Sequence, residues 1–378
     1  MKQFTNVYVS LLLLVQATVV MAQGDINTAT VIGDMIEWVR SKGGSFSRKI
    51  EIRRIDQQDD TSPYGIYAKE DIAAKENLFH IPESCYITMT DEFRPMEKDE
   101  DETIFYYKNI CLLTHKLLTE MNLGEQSTHG PYIRYLKTQK PGQIPAMWSK
   151  EGKDVLRKVI YPGSNVVDWI DEHFKQTGCV NNSSEEHIVE LVLQRGYDVN
   201  LIPIWDMVNH DNGRFNTEYD SMHSEGGTKI RTTKDIRAGE EIYATYDLCP
   251  DCREPLQWYL GTPEILRDFG FVERYPRRWV YWENNIWFNI TETEDGELEV
   301  KFDEPTYPNE DVYGIPAHSF LDNELGRIRN VANTVLEKQR PSEVPEHEWD
   351  NILQFYKAKE IAFSEALKAV ETRLHDEL

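Results

Sequence analysis

The chain has 378 residues, of which 40% are hydrophobic and 11% aromatic, enough to bury one large core or two smaller ones. Its formal net charge at pH 7 is -24. This disfavours binding to a nucleic-acid duplex, because neutralising phosphates needs a basic face, whereas an acidic surface attracts basic protein segments.

Residues 1–22 have the pattern of a secretory signal peptide. Lys2 precedes an apolar run at residues 7–21 that is broken only by Ser10, Gln16 and Thr18, and Ala22 offers a small residue for cleavage. A transmembrane helix is the alternative, but the run is too short and interrupted for the roughly 20 apolar residues that a bilayer requires. We therefore expect cleavage near Ala22 and no membrane span afterwards.

A helical block separates two strand-rich stretches of the mature chain. Ile32, Met35, Ile36 and Val39 recur at helical spacing before Gly43-Gly44. Strands are predicted at residues 50–55, 64–68, 78–81 and 85–88. Helices are predicted at residues 104–121, 131–136, 148–159 and 187–195. Strand character returns at residues 200–204, 229–233 and 241–246, so the helical insert at about 91–194 splits a β-rich unit at 23–273.

Residues 274–374 are predicted to form a second domain or a C-terminal lobe similar to a substrate-binding lobe. Strands are predicted at residues 279–282, 286–290 and 298–302, the last two flanking the Asp295-Gly296 hairpin signal. Helical periodicity follows at residues 320–336 and 349–374. The predicted fold class is α+β, and the two parts should pack together because no low-complexity linker separates them.

The last four residues, His375-Asp376-Glu377-Leu378, match the HDEL address that a retrieval receptor of the endoplasmic reticulum reads at a free C-terminus. The tetrapeptide could occur by chance on an acidic tail. Combined with the signal peptide, it predicts residence in the lumen of the endoplasmic reticulum.

Five cysteines leave at least one unpaired. Cys249 and Cys252 are the only close pair, and a local disulfide is the first interpretation. A zinc site needs about four ligands, and no second Cys or His cluster is nearby. A thioredoxin-like redox pair is a weaker alternative, because no strand precedes Cys249 and no helix begins there.

Asn181, Asn182 and Asn289 each begin an N-glycosylation triplet. Such triplets are common by chance. In a luminal chain they predict exposed loops and a glycoprotein.

The stretches at 205–210 and 239–248 form the most informative pattern. Asn209-His210 ends an apolar run, and a Gly-Glu-Glu turn leads into a strand that ends on Tyr246. Taken separately, Asn209-His210 is typical of a loop cap and Tyr246 of a half-buried strand. Asp206 and His210 stand four apart like a helical metal pair, but the preceding run indicates a strand, so no metal site is predicted.

The order of the motifs resembles the SET-domain methyltransferases. Within them it is similar to the branch of the Rubisco lysine methyltransferases and the actin-histidine methyltransferase, in which a helical insert splits the SET fold and a mostly helical lobe follows. The resemblance covers residues 32–273, and the lobe matches only loosely. It is carried by residues 65–72, 145–149, 195, 202–210, 238–248 and 266–271.

This resemblance implies roles for individual residues. Pro63, Tyr64 and Gly65 would wrap S-adenosylmethionine, because a glycine lets the backbone approach the cofactor. Pro63 stands where many relatives have a second glycine, so its contact would come from the main chain. The remaining cofactor residues would be Arg195, which suits a carboxylate, Asn209 and His210.

The resemblance also implies that Tyr246 is the catalytic tyrosine. Methyl transfer from a sulfonium is an in-line displacement that needs an uncharged, aligned nitrogen. Desolvation and the sulfonium charge both lower the pKa of a lysine ammonium. A tyrosine hydroxyl and backbone carbonyls can hold the methyl group through weak CH···O contacts, so Tyr246 would orient the reactants more than act as a base.

Substrate specificity involves Tyr197, Trp205, Asp206 and Phe269. Phe269 replaces a tyrosine of most relatives, which would alter the number of methyl groups added or weaken activity. Tyr197 is aromatic as in lysine-directed relatives, whereas the strings at 202–207 and 209–213 are closer to the histidine-directed enzyme. Trp205 either fills the core or walls the target channel.

The sequence therefore predicts a luminal, S-adenosylmethionine-dependent protein N-methyltransferase that acts on lysine in a basic protein segment. The histidine-directed activity is one alternative. A non-catalytic SET-fold binding module, retained in the secretory pathway to hold a client, is the other. A hydrolase is disfavoured, because no Gly-x-Ser-x-Gly elbow appears.

Overall fold

The structure is a computed structural model that describes residues 28–58, 62–89, 102–197, 200–220, 225–246, 260–281, 286–302 and 315–376. The expected signal peptide, the Cys249–Cys252 pair and the last two residues of the HDEL signal lie outside the described residues. Across the described ranges, no helix combines the length and apolar character needed to cross a membrane.

The N-terminal part follows the predicted order. Helix α1 buries Val31, Ile32, Met35 and Val39 at helical spacing and ends before Gly43, whose φ of 93° suits glycine. The elements are α1 (Thr28–Ser41), β1 (Ser45–Phe46), β2 (Ile50–Arg54), β3 (Tyr64–Ala68), β4 (Asn77–Ile81) and β5 (Ile87–Thr88). The strand expected at 85–88 is shorter, because Glu83–Cys85 forms a turn of 3-10 helix.

The insert is helical as predicted. Its helices are α2 (Glu102–Leu123), α3 (Gly130–Leu136), α4 (Lys150–Val159) and α5 (Ser183–Arg195). Asn182 caps α5 by accepting hydrogen bonds from the Ser184 and Glu185 backbone amides. Asn181 and Asn182 are both exposed, as expected.

The strands that follow the insert are short. They are β6 (Gly196–Tyr197), β7 (Asn200–Leu201), β8 (Asn209–His210), β9 (Thr217–Tyr219), β10 (Thr228–Thr232) and β11 (Tyr243–Ala244). The sheets have the orders β1-β4-β10-β9, β2-β3, β5-β7-β6 and β8-β11, the last pair parallel. The strand expected at 200–204 stops at Leu201, because the backbone turns at Ile204 into the 3-10 helix Trp205–Met207.

The C-terminal lobe contains a three-stranded antiparallel sheet and two long helices. Helix α6 (Thr262–Phe269) precedes the lobe, whose elements are β12 (Arg277–Tyr281), β13 (Ile286–Glu292), β14 (Leu298–Phe302), α7 (Ile315–Val331) and α8 (Glu346–Asp376). The predicted hairpin around Asp295-Gly296 is confirmed. The exposed loop expected at Asn289 is wrong: its side chain is 1% exposed in β13 and accepts a hydrogen bond from Arg278 Nε. A glycan does not fit there.

The described residues form two hydrophobic cores, and α4 belongs to the second. The first core joins α1, α2, α3 and α5 to the strands of the β-rich unit. Val155, Leu156 and Val159 of α4 instead pack with the lobe's sheet and with α7 and α8. The insert therefore connects the two parts as well as splitting the β-rich unit.

The lobe holds α4 at both ends. At its N-terminus, Glu348 of α8 accepts hydrogen bonds from Ser149 N at 2.8 Å and Ser149 Oγ at 2.6 Å. At its C-terminus, Lys359 Nζ donates to the Val159 carbonyl at 3.1 Å, and Arg327 donates to the Ile160 carbonyl at 2.7 Å. Both charges complement the helix dipole.

Cys111 and Cys179 form a disulfide that the sequence did not indicate. It joins α2 to the segment before α5, across 68 positions of sequence. Among the described cysteines only Cys85 is free, and it is buried.

Candidate active site

The parallel pairing of β8 with β11 builds the centre of the candidate site. Tyr243 lies opposite Asn209, and Ala244 lies opposite His210. This register places Tyr246 beside β8, where its ring centroid is 5.1 Å from that of His210. The two motifs that the sequence analysis singled out are therefore adjacent in space.

Glu241 accepts the hydrogen bonds that hold β3, β8 and β11 together at the candidate site, a place called the junction below. Its Oε1 accepts a hydrogen bond from Asn209 Nδ2 at 2.7 Å, and its Oε2 accepts from the hydroxyls of Tyr67 at 2.9 Å and Tyr243 at 2.8 Å. At Gly65 a Cβ would lie 2.4 Å from Glu241 Oε1 and 2.8 Å from Asn209 Nδ2. Glycine is required there because the carboxylate and the amide fill the space of a side chain.

The predicted loop at 63–65 lies beside this junction. Pro63 is exposed, and its carbonyl accepts a hydrogen bond from Ile55 N at 2.8 Å. The Tyr64 carbonyl accepts a hydrogen bond from Asn209 Nδ2 at 3.2 Å. Both amide hydrogens of Asn209 thus have protein acceptors, and Oδ1 is the atom of that amide that remains to meet a donor.

His210 positions the main chain of Tyr246. Its Nδ1 accepts a hydrogen bond from Tyr246 N at 3.0 Å, so its Nε2 carries the proton that faces Glu273 Oε2 at 3.1 Å. The side chains of His210 and Glu273 are each 1% exposed. Because both ring nitrogens have protein partners, His210 could contact a cofactor only through its main chain.

The hydroxyl of Tyr246 donates a hydrogen bond to the Val208 carbonyl at 2.8 Å. Burial raises the pKa of Tyr246 far above its ordinary value, so the hydroxyl stays protonated at neutral pH. Although the hydroxyl hydrogen of Tyr246 is bonded to Val208, the hydroxyl oxygen can still accept weak CH···O contacts. Tyr246 is therefore better suited to orient a reactant than to accept a proton.

Arg195 and Asp206 form a buried ion pair next to this centre. Arg195 Nη1 lies 3.4 Å from Asp206 Oδ2 and donates to the Tyr135 hydroxyl at 3.0 Å, while the Tyr132 hydroxyl donates to Asp206 Oδ2 at 2.9 Å. The Asp206 side chain is fully buried, and the Arg195 side chain is 16% exposed. Burial raises the pKa of the Asp206 carboxyl to about 6, against the opposing effect of Arg195.

Two polar atoms of this pair lack a protein partner. Arg195 Nε is a donor and Asp206 Oδ1 is an acceptor, and both are buried. An unpaired buried polar group costs about 1–3 kcal/mol, and a ligand that supplies one acceptor and one donor would satisfy both atoms. The carboxylate and ammonium of an amino acid have this combination.

Aromatic side chains surround the candidate site. Trp205 is 7% exposed, and its ring centroid lies 6.3 Å from that of Tyr197 and 5.0 Å from that of Tyr219. The hydroxyls of Tyr197 and Tyr219 are hydrogen-bonded to each other. Phe269 contacts the catalytic candidate directly, at 4.7 Å between the ring centroids of Phe269 and Tyr246.

The backbone before Trp205 is strained. Ile204 is fully buried and has a φ of 68°, a left-handed conformation that a β-branched residue rarely adopts. Such strain persists only where the surroundings impose it. Here it turns the chain so that Trp205 joins the aromatic cluster and Asp206 reaches Arg195.

The structure adds residues that the sequence analysis did not assign. Glu241 lies in the Gly-Glu-Glu turn, but the sequence pattern did not predict a role for its side chain. Its position just before a strand of the site was the one feature that could have indicated it. Glu273, Tyr219, Tyr132 and Tyr135 carried no local signal. They reach the site through tertiary contacts from separate elements.

Part of the chain is similar to a known domain family. Residues 63–247 match the SET domain family. The N-lysine methyltransferase setd6 of Xenopus laevis is 22% identical over 285 residues, which cover 64% of this chain and 57% of that protein. The actin-histidine N-methyltransferase of Dasypus novemcinctus is 25% identical over 240 residues, which cover 56% of this chain and 40% of that protein. The chain thus matches 57% of the length of the first of these relatives and 40% of the second.

Two solved structures share the fold. The SET domain of LSMT bound to lysine and AdoHcy superposes with a TM-score of 0.50 at 12% identity, covering 93% of each chain. Rubisco LSMT bound to sinefungin and monomethyllysine superposes with a TM-score of 0.54 at 13% identity, covering 92% of each chain. The predicted fold class is confirmed as a SET fold of mixed helices and sheets.

Proposed function

Because residues 63–247 match the SET domain family, we propose that the chain is an S-adenosylmethionine-dependent protein N-methyltransferase that acts on lysine. The observation that carries this proposal is the buried Arg195–Asp206 pair. It presents an unpaired donor and an unpaired acceptor within the matched region. The solved relatives are described as bound to AdoHcy, sinefungin, lysine and monomethyllysine, which supports both the cofactor and the substrate class.

The residues present fit the methionine moiety of the cofactor. Arg195 Nε would donate to its carboxylate, while Asp206 Oδ1 and Asn209 Oδ1 would accept from its ammonium. Gly65 leaves room for the Glu241 carboxylate and the Asn209 amide, whose hydrogen bond holds Asn209 in this orientation. The cofactor would supply an electrophilic methyl group on a sulfonium sulfur.

The protein's own residues would align and desolvate the acceptor nitrogen. Tyr246 is neutral, anchored to Val208 and held at its amide by His210. Its oxygen would accept weak CH···O contacts from the methyl group. Burial of the substrate amine lowers its pKa and so favours the form with a lone pair.

The aromatic cluster of Tyr197, Trp205 and Tyr219 favours lysine as the substrate. Aromatic faces attract an ammonium on a flexible chain through cation–π interactions. Histidine is the second candidate, because the relatives include both N-lysine and actin-histidine methyltransferases. The net charge of -24 supports a basic target segment.

We further propose that the enzyme is a glycoprotein of the endoplasmic reticulum lumen. The apolar residues 7–21 and the terminal His375-Asp376-Glu377-Leu378 support entry and receptor-mediated retrieval. The Cys111–Cys179 disulfide supports an oxidising compartment. Asn181 and Asn182, both exposed, are the candidate glycosylation sites.

Methyl incorporation from labelled S-adenosylmethionine into a secretory-pathway lysate tests the activity. We expect incorporation by the mature chain and a loss of most of it in Tyr246→Phe, because the hydroxyl is removed while the ring is kept. Tyr161→Phe in the second core is the matched control. Equal incorporation by the wild type and Tyr246→Phe would exclude Tyr246 as the catalytic residue.

Cofactor binding separates the enzyme from a non-catalytic binding module. A ligand that binds only the folded chain raises the Tm, so S-adenosylmethionine should raise it for the wild type. No shift at millimolar cofactor would favour the binding module.

A further inference from the structure

A second cluster of reactive side chains lies away from the candidate active site. Cys111 and His115 stand four residues apart on α2 and therefore on one face of the helix. Cys179 approaches them from the segment before α5. Over the described ranges, this is the only group of three or more His, Cys, Asp or Glu side chains whose ligand atoms lie within 4.8 Å of one another.

The side chains have the types and spacing of a zinc site. Zinc prefers thiolate sulfur and imidazole nitrogen in tetrahedral geometry, with Zn–S bonds of about 2.3 Å, which places two ligand sulfurs about 3.7 Å apart. His115 Nε2 already lies 4.0 Å from Cys111 Sγ. Once the S–S bond is broken, small movements of the two sulfurs would bring all three ligand atoms to the distances of a tetrahedral site.

Access to the cluster is uneven. Cys179 is 5% exposed, Cys111 is half-buried and His115 is exposed. Solvent therefore reaches the cluster from the side of His115. A water molecule can take the fourth position on that side, as in zinc sites with three protein ligands.

We propose that reduction of the Cys111–Cys179 disulfide converts this cluster into a Zn²⁺ site with Cys111, Cys179 and His115 as ligands. A protein dithiol gives two electrons and two protons to the disulfide and becomes a disulfide itself. Zn²⁺ then binds the two sulfurs as thiolates, and their two protons pass to solvent. In the oxidised protein His115 Nε2 donates a hydrogen bond to the Cys179 carbonyl at 2.8 Å. The neutral imidazole therefore releases this proton, takes one up at Nδ1 and binds the metal through the Nε2 lone pair.

The metal would preserve a connection that reduction otherwise breaks. The disulfide ties α2 to the segment that begins α5, and α5 ends at Arg195 beside the candidate active site. The oxidised and the zinc-bound states both hold this end of α5. The metal-free reduced state does not, so it should be the least stable of the three.

Cobalt(II) is a suitable probe, because it replaces zinc and its thiolate complexes absorb visibly. The full chain should carry Cys249→Ser and Cys252→Ser to remove the other close cysteine pair. Cys85 is 0% exposed and does not compete. After anaerobic reduction, we expect one tightly bound Co²⁺ per chain, its displacement by Zn²⁺, and no such binding by the oxidised chain.

His115→Ala should weaken Co²⁺ binding by about 100-fold or more, since losing even an outer partner of a metal ligand costs about 10- to 100-fold. His347→Ala, at an exposed position on α8, should bind like the parent. Formation of the Cys111–Cys179 disulfide on oxidation, read by peptide mass spectrometry, shows that each variant folds. Equal affinity of His115→Ala and the parent, equal binding by the oxidised chain, or no stoichiometric binding would each overturn the proposal.

Discussion

Glu241 fixes the orientation of the Asn209 amide. Its Oε1 accepts a hydrogen bond from Asn209 Nδ2 at 2.7 Å, while the other amide hydrogen lies on the Tyr64 carbonyl at 3.2 Å. Both donors are thereby engaged, and Asn209 offers only an acceptor to a ligand. Glu241 is a positioning residue for the proposed cofactor site.

Glu241→Gln should weaken S-adenosylmethionine binding by about tenfold or more, since a hydrogen bond to a charged group contributes about 1.5–3 kcal/mol. A neutral amide can also donate, so Asn209 would no longer be held in one orientation. Isothermal titration measures the effect. Glu240→Gln, at the exposed neighbouring position, is the control, and an equal loss in both variants would count against this role.

Cofactor binding should depend on pH through Asp206. Burial raises the pKa of its carboxyl to about 6 in the cofactor-free protein, so the group is protonated below that pH and cannot accept from an ammonium. Affinity should rise as the pH increases through about 6 and fall about tenfold per unit below it. The affinity of Asp206→Asn should be lower and nearly independent of pH from 5 to 7, and an unchanged profile would exclude Asp206 as the titrating group.

The same raised pKa affects stability with a definite sign. The folded state holds the Asp206 proton more tightly than the unfolded state, so this contribution to the free energy of unfolding is complete below about pH 4 and is lost as the pH rises through about 6. Relative to Asp206→Asn, wild-type stability should therefore decline across this interval. Urea unfolding at several pH values measures the free energy of unfolding of both proteins. If the stability of the wild type relative to Asp206→Asn increased with pH, the assignment to Asp206 would be contradicted.

Phe269→Tyr should reduce the number of methyl groups added to each target nitrogen. Phe269 lies 4.7 Å from Tyr246 between ring centroids, so a new hydroxyl would reach the space in which a methylated nitrogen must rotate. Mass spectrometry of the methylated proteins should show a shift toward monomethyl products. Phe271→Tyr is the control, because that ring lies against His210 instead. An unchanged product distribution would place Phe269 outside the target channel.

Glu348→Ala should lower the free energy of unfolding by about 1–3 kcal/mol, because Ser149 N and Oγ lose their acceptor. Glu346→Ala, exposed in the same first turn of α8, should change it little. Urea unfolding compares the two variants. Equal effects would mean that the contact with Ser149 contributes nothing specific.

The sequence predicted the secondary structure correctly where the pattern is contained within a single helix or turn. The apolar spacing of α1 and the Asp295-Gly296 turn are local, and both are confirmed. The strands at 85–88 and 200–204 were predicted too long, because propensity does not register the 3-10 turns that tertiary contacts impose at Glu83–Cys85 and Trp205–Met207.

The sequence indicated which motifs form the site, but it did not indicate most of the contacts between their side chains. Asn209, His210 and Tyr246 are brought together as expected, but the partner of His210 Nε2 is Glu273, 63 positions away. The pairing of Cys111 with Cys179 also could not be deduced, because spacing does not determine disulfide connectivity. Asn289 was misjudged because its triplet does not reveal that the side chain points into the sheet.

The hydrogen bonds that the lobe makes to both ends of α4 have a consequence for synthesis on the ribosome. Ser149 meets Glu348 across 199 positions, and Val159 meets Lys359 across 200. A nascent chain that has just completed the β-rich unit would carry α4 with its apolar face uncovered until the lobe's sheet and α7 emerge, and only partly covered until α8 follows. Molecular chaperones would therefore bind this helix during translation, and truncation before α8 would leave part of its apolar face exposed.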